Sequence, residues 1–226
     1  MNMLQLSLPE QGIFVMAALI LLASFSLLSQ VRITASIHSF AWQGALVAAV
    51  TVLVAVVTGA HHLLVSAALT LLLKALLIPW ALHRAVRKMK LEREIETLSH
   101  PVLKVLFGTG LVIFSYWAVL PIERLEFAAT RNIIAISLAV VLLGLWCMVA
   151  RRQVIVQVLG FMSMENGLFL AAVASTRGMP LVVELGVAFD ILVAAVVFGV
   201  FFFQIRESID SLDVDRLNRL SEREDL

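Results

Sequence analysis

Uninterrupted apolar runs, each about as long as a bilayer is thick, recur along this chain and leave it few possible folds. A helix needs about 20 mostly apolar residues to cross the hydrocarbon layer. Seven stretches meet that requirement: 12–31, 37–58, 62–83, 102–120, 132–150, 153–174 and 181–204. Lipid offers no partner to backbone N–H and C=O groups, so spans of an open chain must be helices. The composition agrees, with 61% hydrophobic residues among 226 and a mean hydropathy of +0.99. A soluble domain has roughly 45–50% apolar residues. The expected fold class is all-α, a polytopic membrane protein with about seven transmembrane helices.

Basic residues predict the orientation. With the N-terminus outside, the inner segments hold Arg32, Arg84, Arg87, Lys88, Lys90, Arg93, Lys104, Arg151, Arg152, Arg206, Arg216, Arg219 and Arg223, and the outer segments only Arg124, Arg131 and Arg177. That is thirteen against three, a strong positive-inside bias that puts the C-terminus in the cytoplasm. "MNMLQLSLPEQ" has no basic n-region, so the first run is expected to be a retained span rather than a cleaved signal peptide. The chain then divides into a three-helix region over 1–101, a fourth helix and outer loop over 102–131, a three-helix unit over 132–206 and a cytoplasmic tail over 207–226. Only "GAHH" joins spans two and three, which makes them an antiparallel hairpin. "RAVRKMKLEREIETLSH" (84–100) has apolar residues near helical spacing and reads as a helix lying on the membrane surface.

Net charge is +1, which argues against a nucleic-acid partner. The single cysteine, Cys147, sits in an apolar run with no metal-ligand spacing around it. His38, His61, His62 and His83 fall near span ends and read as surface or interfacial residues. No nucleotide-binding loop, zinc motif or nucleophile elbow is present, and "FGTG" at 107–110 is too slight to count.

Three ionisable residues fall near mid-span: Lys74, Glu165 and Asp190. A charged group at a helix centre costs about 2.5–3.5 kcal/mol on insertion scales, so these three are expected to face protein or water. Burial brings acids and lysines toward neutral pH, where they can take up and release protons. Gly160, Ser163, Gly167, Ala171 and Ala174 form a small-residue stripe on span six that admits a close neighbour. Glu165 lies on the opposite side of that helix. Asp190 shares a face with Gly186 and Ala194. Thr70 sits one turn from Lys74, within reach of a hydrogen bond, and Pro79, near the inner end, is expected to bend that helix. Glu184, Asn166 and Thr70 are secondary candidates. The blander alternative is structural: Glu165 as a protonated clip between helices, and Lys74 in an ion pair with Asp190 or with another subunit.

"RRQVIVQVLGFMSMENGLFLAAVA" followed by "GMPLVVELGVAFDILVAAVVFGVFFFQIRES" resembles the membrane component E of hydrogenase-4. That family belongs to complex-I-like hydrogenase and formate hydrogenlyase assemblies. Its C-terminal region is similar to the three-helix K-type subunit of respiratory complex I and to the C-type subunit of multi-subunit cation/proton antiporters. The resemblance implies that Glu165 and Asp190 are the proton-path acids of the second and third helices of that unit. In the K-type pattern the acid precedes the asparagine by a few residues, whereas here Glu165 directly precedes Asn166. It further implies antiporter-like membrane partners, a peripheral redox arm and a bacterial cytoplasmic (inner) membrane setting. No cofactor is expected in this chain, and nickel–iron and iron–sulfur centres are expected only in partner subunits. The function so implied is proton or cation translocation coupled to redox chemistry elsewhere in the complex. Two rivals are a stand-alone transporter for a small solute or ion and a purely structural membrane anchor.

Overall fold

In the computed structural model, the described residues are 8–88, 101–121, 128–151 and 153–176, together with positions 186, 188, 191, 192, 195, 196 and 199. The chain forms two compact units, Met1–Asp190 and Ile191–Leu226. In the second unit, the described positions Ile191, Leu192, Ala195, Val196 and Gly199 are helical and exposed.

The first unit is built from helices α1 (Leu8–Ser29), α2 (Ile33–Thr58), α3 (His62–Thr70), α4 (Ile78–Lys88), α5 (Pro101–Val119), α6 (Ala128–Ala150) and α7 (Val154–Thr176). A π-helical segment, Leu71–Leu77, joins α3 directly to α4, so the three form one continuous crossing. Six helices among the described residues are long and apolar enough to cross a membrane. They match the first six expected spans, and the protein is a multi-pass membrane protein. The expected seventh span falls largely outside the described residues, as do 89–100 of the expected surface helix and the tail 207–226. Residues 84–88 of that surface helix continue α4 instead of starting a separate element.

Helix ends differ from the hydropathy limits by a few residues. α2 starts at Ile33 rather than 37, because "ITAS" is polar enough to leave lipid but still propagates the helix. Its C-terminus is closed by Gly59 in the left-handed region at φ 69°, a conformation that a Cβ disfavours. The chain then turns into α3 through Leu63 N–H to Ala60 O and Leu64 N–H to His61 O, at 3.0 and 3.1 Å. This is the expected hairpin, and His61 and His62 are exposed at its tip.

The closest packing joins α6 to α7. A Cβ on Gly144 would come within 2.6 Å of the Met164 backbone nitrogen and 2.7 Å of the Gly160 carbonyl oxygen. Gly160 and Gly167 face the Gly144 and Ser137 carbonyl oxygens, with hypothetical Cβ distances of 3.0 and 2.9 Å. These two glycines of the expected small-residue stripe therefore meet α6, and the lack of side chains is what brings the backbones into contact. A core of Ile13, Ala17, Ile20, Val47, Val50, Val54, Ile136, Val140, Leu170 and Val173 joins α1, α2, α6 and α7. α5 is peripheral: it packs on α6 and α1, and Ile113, Phe114 and Trp117 stay exposed.

Candidate functional site: a buried ion pair within a polar chain

A π turn sits at the middle of the third crossing. The Ile78 N–H reaches back five residues to the Leu73 carbonyl, the π spacing that often marks functional sites. Pro79 gives the local reason. In an α-helix its ring would strike the Ala75 carbonyl and leave that oxygen without a donor. Widening the turn just before the proline relieves the clash. Where the sequence led us to expect a bend at Pro79, the structure has an expanded turn, and Lys74 lies inside it.

Lys74 is fully buried, and Glu165 is 5% exposed. Lys74 Nζ donates to Glu165 Oε1 at 3.1 Å and to Asn166 Oδ1 at 2.8 Å. Asn166 Nδ2 donates to Gln43 Oε1 at 3.1 Å. Gln43 Nε2 in turn donates to Ser163 Oγ at 2.9 Å and Ser24 Oγ at 2.7 Å. Ser24 closes the chain onto its own helix by donating to the Ile20 carbonyl at 3.0 Å. One connected polar chain thus runs from the third crossing through α7 and α2 to α1. Every side chain in it is buried. Such a network is costly where it is incomplete and rigid where it is complete. The Phe169 ring lies 5.9 Å from Lys74 Nζ and adds a weak cation–π attraction.

Gly44 makes the approach possible. A Cβ there would sit 2.9 Å from Lys74 Cβ and 3.2 Å from the Lys74 carbonyl carbon. α2 therefore lies directly on the π turn, one residue beyond Gln43.

Of the sequence-selected residues, Lys74, Glu165 and Asn166 are brought together. Asp190 and Glu184 lie outside the described residues. Thr70 corrects an expectation: it is buried, but Thr70 Oγ1 makes no hydrogen bond to Lys74 or to any other described residue. Lys74 instead directs its ammonium across to Glu165 and Asn166 on α7. The pairing of Lys74 with Glu165 was not among the sequence expectations, nor were the roles of Gln43 and Ser24. Gln43 had a signal of its own. It interrupts "FAWQGALVAAV" as Glu165 interrupts its own run, and an amide in hydrocarbon needs a partner as well.

A groove of about 710 Å³ approaches this site, lined by Ile37, His38, Ala41, Ala75, Pro79 and His83 among others. It also takes in Trp80, Arg84 and Arg87. This end of the bundle also holds Arg32, Lys104 and Arg151, and is called the basic end below. The groove runs from there to Ala75, the residue after Lys74. His38 and His83 meet in it edge to face, 5.3 Å apart, another pairing that the sequence did not reveal. No group of three or more His, Cys, Asp or Glu suited to a metal occurs among the described residues.

Comparison with known proteins decides the family. A protein of Mycobacterium tuberculosis, itself uncharacterized, is 33% identical over 202 residues, covering 89% of this chain and 92% of the relative. Hydrogenase-4 component E of Escherichia coli K12 is 26% identical over 205 residues, covering 91% of this chain and 95% of that protein. The chain belongs to a family of complex-I-like membrane subunits and is similar along most of its length to component E. The Shigella flexneri component E matches to the same extent. Residues 132–222 also match the family of NADH-ubiquinone/plastoquinone oxidoreductase chain 4L. That stretch contains α7 with Glu165 and Asn166, and it covers the three-helix unit that the sequence likens to a complex I subunit. No solved structure matches the chain. Membership in this family implies a multi-subunit membrane complex.

Proposed function

We propose that this chain is a membrane subunit of a hydrogenase- or formate-hydrogenlyase-type assembly and carries part of its proton (or cation) path. The observation that supports this best is the Lys74–Glu165 pair, held at mid-span and tied to Asn166, Gln43, Ser163 and Ser24. An acid and a base 3.1 Å apart can pass a proton with little movement of heavy atoms. Intramembrane ionisable residues of this kind often mark ion routes. Water in the groove that reaches Ala75 would supply protons from the basic end, which the charge bias assigns to the cytoplasm of a bacterial inner membrane. Asp190 would continue the route. Driving force would come from nickel–iron and iron–sulfur chemistry in partner subunits, with antiporter-like membrane chains alongside.

The test is proton pumping by the assembled complex in proteoliposomes, driven by its redox reaction, with Glu165→Gln and Asp190→Asn. Both variants should assemble, keep the redox rate within a few-fold and lose most of the coupled pumping. Unchanged pumping in both would sink the relay. A structural rival also has an observation behind it, since the pair joins α7 to the third crossing as a clip would. Failure of the Glu165→Gln complex to assemble would favour that reading.

A further inference from the structure

A second buried cluster lies at the basic end, away from the Lys74 site. Arg151 follows α6, and its Nη2 donates to the Leu28 and Gln30 carbonyls at the C-terminus of α1. This caps a helix end whose dipole favours a cation. Burial pushes the Arg151 guanidinium below its ordinary pKa, yet so basic a group keeps its charge at neutral pH. Among the described residues its Nε and Nη1 have no acceptor, although Arg151 is only 2% exposed. Lys104, from the first turn of α5, is 5% exposed and close enough to feel the charge of Arg151, and its Nζ also has no acceptor. The half-buried Trp146 has an indole N–H without one. No carboxylate pairs with either cation among the described residues. Two buried basic groups with no counter-charge among the described residues are unfavourable as cations, and an anion beside them would relieve that cost.

The surroundings indicate which anion. Lys104 and Trp146 both line a groove of about 580 Å³ between α5 and α6. Its other walls, from Leu103, Leu106, Phe107, Leu111 and Val149, are apolar. Gly110 leaves it open, because a Cβ there would meet nothing within 4 Å. A cationic, N–H-rich head on an apolar trough faces the lipid side of the least-covered helix. Free phosphate would leave that trough unused. Basic pockets between transmembrane helices are suited to anionic headgroups, and tryptophan favours the same depth.

We propose that this groove binds an anionic phospholipid, its phosphodiester on Lys104 and Trp146 with Arg151 behind, and one acyl chain along Leu106, Phe107 and Leu111. Lys104 would swing its ammonium into the groove that its own side chain already lines. Lipid bound there would brace α5 against α6.

The test uses the purified, delipidated complex in zwitterionic micelles, with native mass spectrometry and melting curves as lipid is added back. Phosphatidylglycerol should bind and raise the melting temperature, while phosphatidylcholine and inorganic phosphate should do neither. Lys104→Gln should weaken phosphatidylglycerol binding by about tenfold, as expected for the loss of one charge-assisted contact. Arg32→Gln, an exposed basic residue at the same end, should leave binding unchanged. Gly110→Leu provides a second variant, since its Cβ would meet no protein atom within 4 Å and its side chain would enter the trough; it should reduce phosphatidylglycerol binding while the lipid-free melting temperature holds. Equal binding of both phospholipids, a matching effect of inorganic phosphate, or full binding by Gly110→Leu would each overturn the proposal.

Discussion

Removing Lys74 tests most directly whether the buried pair behaves as one energetic unit. At 3.1 Å and an effective dielectric of 20, the direct attraction between Lys74 and Glu165 is about 5 kcal/mol. Desolvation of both groups offsets much of it, so the net value of the pair is small. The cost of breaking it from one side is not. Lys74→Met takes away the cation beside a carboxylate that is 5% exposed, and such a loss typically costs about 3–5 kcal/mol. Glu165→Gln should cost less, about 1–3 kcal/mol, because Lys74 keeps its 2.8 Å bond to Asn166 and a neutral acceptor replaces the acid. In the double variant both charges are gone together. Its cost should fall below the sum of the singles by about 1–3 kcal/mol, the coupling expected of groups in direct contact. Reversible unfolding in mixed micelles, followed by tryptophan fluorescence, would give all three values. Additivity within about 0.5 kcal/mol would refute the reasoning, since groups that do not interact behave that way.

Three further outcomes follow from the packing and the polar chain. Gly144→Ala drives a methyl group into the Met164 nitrogen and Gly160 carbonyl, which are backbone atoms that cannot step aside. It should sharply lower folded yield in fluorescence-detected gel filtration, whereas Gly110→Ala, with open space around it, should match or exceed the parent by up to about 1 kcal/mol. Gly44→Val should separate α2 from the π turn and destabilise by about 1–3 kcal/mol, with coupled pumping reduced more than complex assembly. Gln43→Leu leaves Ser24, Ser163 and Asn166 without the amide that links them. It should cost about 1–3 kcal/mol in the micelle unfolding assay, and Gln43→Asn should not restore it, being too short to reach both α1 and α7.

Spans, their number among the described residues and the α2–α3 hairpin were legible because hydropathy and a short polar turn are local properties. So was the close face of α7, since Gly160 and Gly167 recur at helical spacing and small residues have one obvious use in lipid. The identity of Lys74's partner was not. Lys74 and Glu165 are 91 residues apart, and each would have been equally plausible beside several other polar groups. Only the rotation of each helix about its own axis selects among them. The direction of the Lys74 side chain was misjudged likewise: one-turn spacing offered it Thr70, whereas its ammonium reaches across to α7. Pro79 carried the warning, but a proline alone does not say whether the turn below it kinks, breaks or expands. The meeting of His38 with His83 was hidden for the same reason as the ion pair.

The expanded turn at Leu71–Leu77 has a consequence for how this crossing tolerates change in length. A π turn absorbs one residue more than an α turn, equivalent to about 100° of helix rotation. Deleting one residue from that segment would let a plain α-helix form with little loss of apolar length. It would also swing the whole of α4 around its axis relative to α3, so that Ile78, Leu82 and Val86, now buried, could no longer all face the bundle while Leu63 and Ala67 still did. The third crossing thus acts as two separately aimed half-helices, and the single supernumerary residue is the joint that lets each keep its own bearing.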